Sequence, residues 1–183
     1  LCINAFCLLI CVMSATKIYA QPHAAFTANF VKGCTPLIVQ FTDQSTNNPS
    51  TWLWDLGNGT KSSLQNPSTV YIAPGSYQVT LTVTNAQGSN TITKSGYITV
   101  YAKPVVSFSA STTSGCLPLD VQFTDNSVAG SGTISQEVWD FGDGLTSNVS
   151  NPLHTYTLSN VFSVALTVTN YFGCSATMHQ PSY

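Results

Sequence analysis

Asp140 and Asp143 stand three apart in the run Trp139-Asp-Phe-Gly-Asp-Gly144. Two carboxylates so placed at a turn could share a cation such as Ca²⁺ or divide acid and base work between them. A second run, Trp54-Asp-Leu-Gly-Asn-Gly59, keeps the first aspartate as Asp55 but puts Asn58 where Asp143 stands. Asp-Gly and Asn-Gly are the dipeptides that most readily take positive φ in a tight hairpin, so the exchange keeps a turn and discards a charge. A catalytic carboxylate does not survive that exchange. These residues are therefore read as turn formers, with Asp55 and Asp140 accepting backbone N–H bonds; Asp140 and Asp143 stay as weak Ca²⁺ candidates. His23, His154 and His179 are too scattered for an obvious metal set, Glu137 is the sole glutamate, and no nucleophile elbow, phosphate loop or paired-cysteine motif occurs. The residues predict no enzyme and no cofactor.

The remaining residues of chemical interest are aromatic or sulfur-bearing. Trp54 and Trp139 occupy matching places before the two turns and are expected as central core residues. Trp52 matches Glu137, a residue type rarely buried, so position 52 is expected at the surface, where an indole can stack on a sugar or anchor a protein partner. Cys34, Cys116 and Cys174 leave one thiol over. Cys116 and Cys174 flank the second repeat's strands and are the expected bridge, tying loop ends together. Cys34 matches Cys116, but Ser89 matches Cys174, which leaves Cys34 free and buried or paired outside this sequence.

These residues are held by a duplicated unit. At an offset of 82, Cys34-Thr-Pro-Leu-Ile-Val-Gln-Phe-Thr-Asp43 meets Cys116-Leu-Pro-Leu-Asp-Val-Gln-Phe-Thr-Asp125, with two differences. At an offset of 85 the tryptophan turns, Asn66-Pro67 with Asn151-Pro152, and Leu81-Thr-Val-Thr-Asn85 with Leu166-Thr-Val-Thr-Asn170 fall together, so three residues are inserted around Ala129-Gly-Ser-Gly-Thr133. The units run over residues 23–101 and 104–183, joined at Lys103-Pro104. A joint this short, with a proline, holds them end to end. Within each, Tyr77, Val79, Leu81 and Val83, and likewise Phe162, Val164, Leu166 and Val168, alternate with polar residues. That period of two, repeated in short runs without helical spacing, predicts an antiparallel β-sandwich.

Composition narrows the setting. Charged residues are 7% of 183, none is arginine, and the net charge is −2, which leaves nothing to neutralise a run of phosphates and excludes nucleic-acid binding. Residues 1–20 carry an apolar stretch from Ile3 to Val12 and end in Ile18-Tyr19-Ala20, as in a signal peptide; the chain begins at Leu1, so this segment is expected to be truncated. The apolar stretch is too short to span a bilayer, and no membrane span is expected in the mature part.

The tryptophan turn, preceded by Val-Gln-Phe-Thr-Asp125 and followed by Asn151-Pro-Leu-His-Thr-Tyr156 and Leu-Thr-Val-Thr-Asn170, resembles the polycystic kidney disease (PKD) domain family, twice over and in the same order. The resemblance implies an all-β chain of two tandem immunoglobulin-like sandwiches, secreted or on a cell surface, spacing or displaying other domains of a longer protein or adhering to extracellular partners. The alternative is an accessory module of a secreted hydrolase that contacts polysaccharide or an extracellular protein. Tyr183 aligns with Ile98, so the second unit is expected to lack the strand that matches Ile98-Thr-Val100.

Overall fold

The computed structural model describes residues 20–181; the signal-peptide expectation for residues 1–20 falls almost wholly outside them. The described residues contain no helix, and so none long and apolar enough to cross a membrane. The first module holds β1 (Phe26–Ala28), β2 (Lys32–Cys34), β3 (Leu37–Asp43), β4 (Thr51–Asp55), β5 (Lys61–Ser62), β6 (Ser68–Tyr71), β7 (Gly75–Asn85) and β8 (Gly88–Tyr101). The second holds β9 (Phe108–Ala110), β10 (Leu119–Asp125), β11 (Ile134–Asp140), β12 (Thr146–Ser147), β13 (Leu153–Tyr156), β14 (Val164–Asn170) and β15 (Ser175–Gln180).

Each module is a sandwich of two sheets. In the first, β1-β3-β6 faces β2-β8-β7-β4-β5; in the second, β13-β10-β9 faces β12-β11-β14-β15. The alternation along β7 and β14 turns Val79, Leu81 and Val83, and Val164, Leu166 and Val168, into the space between sheets, where all six are fully buried. Thr80, Thr82 and Thr84, and Thr167 and Thr169, take the outer face, as the pleat requires. The hairpin of β7 and β8 is longer than the short strands the sequence suggests: β8 runs 14 residues, crossing a register shift between Tyr77 and Val79.

Each module closes its own core around one indole. Phe26 and Phe41 meet Trp54 with ring centroids 5.2 and 5.6 Å apart, and Phe108 and Phe123 meet Trp139 at 5.1 and 5.4 Å. Both indoles are 0% exposed. Trp54 Nε1 donates to the Leu64 carbonyl at 2.9 Å, whereas Trp139 Nε1 has no hydrogen-bond partner among the described residues. Tyr71 and Tyr156 lie at matching places and donate their hydroxyls to the carbonyls of Leu56 (2.7 Å) and Phe141 (3.1 Å).

Candidate functional site

The turn after each tryptophan strand uses its acidic residues as fasteners. Asp55 and Asp140 each accept the N–H of the glycine two residues on, Gly57 at 3.0 Å and Gly142 at 2.9 Å. Both glycines have positive φ and press against the opposite hairpin, since a Cβ would lie 2.1 Å from the Gln78 carbonyl oxygen at position 57 and 2.5 Å from that of Ser163 at position 142. Asn58 Oδ1 then accepts from the Thr60 N–H at 3.1 Å and Asp143 Oδ1 from that of Leu145 at 3.0 Å. The second Asp143 oxygen lies 2.8 Å from His154 Nε2, while Asn58 Nδ2 donates to Thr69 Oγ1 at 3.1 Å. Asp143 with His154 is thus one matched pair and Asn58 with Thr69 the other. The carboxylates are engaged by their own turn and, for Asp143, by His154 of β13, and among the described residues no group of three or more His, Cys, Asp or Glu could hold a metal ion.

Position 52 corrects an expectation. Trp52 is half-buried rather than exposed, lies on the same side of β4 as Trp54 and packs against the first core. Its indole N–H donates to Asp43 Oδ2 at 2.7 Å. Burial pushes the Asp43 carboxyl up, but hydrogen bonds from Ser45, Gln65 and Trp52 outweigh burial and hold it below its usual range. In the second module Glu137 takes the indole's place beside Asp125, which matches Asp43. Burial raises the Glu137 pKa, a hydrogen bond to Ser150 lowers it, and the neighbouring Asp125 raises it again, for a net rise. The folded state therefore holds its proton more tightly than the unfolded chain, so this group costs stability as pH climbs above its ordinary value of 4.5. Glu137→Gln should raise the melting temperature of the second module at neutral pH and leave it unchanged below pH 4, as a pair of calorimetric scans would read.

The second correction concerns sulfur. The disulfide joins Cys34 to Cys174, between the modules, and not Cys116 to Cys174; Cys116 is a free, exposed cysteine. The hairpin between β14 and β15 carries Cys174 to the end of the first module, where Phe172 stacks on Tyr101 with centroids 3.9 Å apart. Asn170, 1% exposed, ties the joint together. Its Nδ2 donates to the carbonyls of Ala102 (2.9 Å) and Ala129 (3.0 Å), and its Oδ1 accepts the N–H groups of Phe172 and Cys174, both at 3.1 Å. The three-residue insertion belongs to this joint: Ser131 Oγ accepts the Ala102 N–H at 2.9 Å, and Gly130, at φ 73°, lies so close to the linker that a Cβ would sit 2.2 Å from the Lys103 carbonyl oxygen. Asn170 was invisible as a joint residue because its strand motif reads identically in both repeats. The hairpin after it was the available signal: Tyr171-Phe-Gly-Cys174 replaces Ala86-Gln-Gly-Ser89, which puts two aromatic residues and a cysteine on a turn that is small and polar in the first repeat. Asn170→Ala would leave two half-buried carbonyls and two N–H groups without their partner and should cost about 2 kcal/mol, against under about 1 kcal/mol for the more exposed Asn85→Ala, measured by urea unfolding.

Two tandem sandwiches with matching cores, matching turns and a bonded joint define an immunoglobulin-like class of β-module. The family model described as PKD domain matches twice, over residues 19–100 and 101–182, and the chain belongs to the PKD domain family. A segment of 54 residues is 43% identical to a microbial collagenase of Vibrio alginolyticus, covering 30% of this chain and 7% of that protein. Among solved structures, the PKD1 domain of Vibrio anguillarum Epp is 30% identical, covers 45% of this chain and 93% of its own, and has a TM-score of 0.41. The PKD1 domain of the Vibrio cholerae metalloprotease PrtV is 36% identical, covers 43% and 91%, and has a TM-score of 0.38.

Proposed function

We propose that the pair is a non-catalytic spacer, secreted or displayed at a cell surface, that holds other domains of a longer protein at a fixed distance and orientation. The bonded joint carries this reading. A linker that only connected two modules would need neither a buried asparagine with four hydrogen bonds nor a disulfide, and both serve to suppress bending. The duplicated fold without a duplicated polar site supports a mechanical role over a chemical one. Residues 1–20 would act as the export signal, which agrees with a disulfide formed outside a reducing compartment. Small-angle scattering tests the reading: the unreduced protein should give one maximum dimension that ionic strength does not change, and a broad distribution of dimensions would defeat it.

The identity to a segment of a microbial collagenase favours a second reading, an accessory module of a secreted hydrolase that contacts a fibrous protein or polysaccharide. Retention on insoluble collagen or cellulose beyond that on an inert resin is the outcome this reading requires. Because Trp52 is half-buried, loss of retention in Trp52→Ala speaks to contact only if the melting temperature is unchanged.

A further inference from the structure

The place that Trp52 fills in the first module is open in the second. Asp43 Oδ2 takes N–H donors from two side chains, Trp52 Nε1 at 2.7 Å and Gln65 Nε2 at 3.0 Å. The matching residues of the second module are Asp125, Glu137 and Ser150, so both donors are lost and an indole gives way to a shorter side chain. A cleft of about 370 Å³ lies there, with residues 134–137 of β11 on one side and Asn148 and Ser150 on the other.

The cleft is acidic and short of donors. Asp125 Oδ1 accepts the Ser127 N–H at 2.8 Å, as Asp43 Oδ1 accepts that of Ser45 at 2.9 Å, so the two aspartates sit alike. Glu137 hydrogen-bonds Asp125 and Ser150, and among the described residues no lysine or histidine forms an ion pair with either carboxyl. An independent signal lies in the wall. In the first module the Leu64 carbonyl accepts the Trp54 N–H at 2.9 Å, which seats loop 63–65 on the core. Val149, between the lining residues Asn148 and Ser150, makes the same turn as Leu64, each donating its N–H to a serine Oγ at 3.2 Å. Yet the Trp139 N–H, on a side chain 0% exposed, has no partner among the described residues. A buried donor left unpaired costs free energy, and a small inward movement of residues 148–150 onto an occupant of the cleft would pair it with the Val149 carbonyl.

We propose that this cleft binds the guanidinium of an arginine side chain presented by a partner protein. The side chain that fills the matching place in the first module sets the requirement, a flat group with an N–H on its edge aimed at the aspartate. Two carboxyls in place of one add the requirement of a positive charge. A guanidinium meets both, since its N–H fork donates to two acceptors at once and its faces are flat, whereas an ammonium has neither the fork nor the face. The chain contains no arginine, so the occupant comes from another protein and a second copy of this chain cannot supply it. On binding, the proton held between Glu137 and Asp125 passes to water, and two carboxylates then face one cation. This inference goes beyond the spacer reading, which neither needs nor forbids an occupied cleft, so scattering and binding fail separately.

Amide NMR of the intact, oxidised protein tests it with Nα-acetyl-arginine amide as the probe. Saturable shifts are expected at residues 134–137 and 148–150, together with slower exchange of the Trp139 indole N–H. Glu137→Trp, which puts the first module's indole into the cleft, should abolish the shifts. Glu137→Gln, which keeps the shape and removes the charge, should weaken binding at least about tenfold. Affinity should fall as pH drops through the carboxyl range, because protons compete with the cation for both groups. Absence of saturable shifts at these residues, or full binding by Glu137→Trp, would overturn the site. Equal binding of Nα-acetyl-lysine amide, or of Ca²⁺ at the same residues, would overturn the guanidinium assignment.

Discussion

Trp139→Ala is expected to destabilise the second module by about 3–5 kcal/mol, and Trp54→Ala to do the same to the first, because each deletes the largest fully buried side chain of its core and leaves a cavity between two phenylalanines. Domains of this size commonly hold about 5–15 kcal/mol in total, so either change brings a module close to its folding limit. Because the cores are separate, the damage should stay local: chemical denaturation of Trp139→Ala should show one early transition and one near the parent's. The two indoles differ in a second respect. Trp54 donates to the Leu64 carbonyl, whereas Trp139 is buried with its N–H unpaired among the described residues. Exchange for phenylalanine, which removes the N–H and keeps most of the ring, should therefore cost about 1 kcal/mol more at position 54, where it strands an acceptor, than at 139, where it relieves a donor. Equal costs would show that the Trp139 N–H is satisfied in solution.

The core and the sandwich were legible because they depend on local rules. Alternation along Tyr77–Thr84 and Phe162–Thr169 sets which side chains face inward, and the repeat supplied the same answer twice. The disulfide was not legible, since its partners lie 140 residues apart and meet only through the relative placement of two modules. Alignment suggested a bond within one repeat, whereas the molecule uses one cysteine from each. Trp52 failed for a different reason. The residue type at position 137 does not by itself set the exposure of position 52; the environment is set by the carboxylate beside it, Asp43 or Asp125. An indole N–H satisfies that carboxylate directly; a second carboxyl does so only while it holds a proton, which is why a residue type rarely found inside can occupy a half-buried place. Asp143 with His154, against Asn58 with Thr69, follows the same logic. In both cases the two repeats differ by pairs, and reading the pairs together would have located the contacts.

Reduction of the Cys34–Cys174 bond should lower the stability of both modules. If either one unfolds while the other stays folded, the bond and the linker at Lys103 close a loop of unfolded chain, about 70 residues long in each case, and loss of that closure is worth up to about 4 kcal/mol in the chain-entropy model. A bond within a single module would protect that module alone; a bond across the joint protects whichever partner opens. Both transitions in a denaturation curve should therefore shift together in Cys34→Ser, and Cys174→Ser should reproduce the shift. Cys116→Ser, which removes an unbonded thiol, should leave both transitions in place. Orientation should respond as well. Asn170 and the Tyr101–Phe172 stack remain after reduction, so the modules should stay in contact for part of the time and the scattering profile should broaden rather than split. A reduced protein as rigid as the oxidised one would assign the stiffness to Asn170 and the insertion loop, and in that event Asn170→Ala in the reduced protein should free the joint.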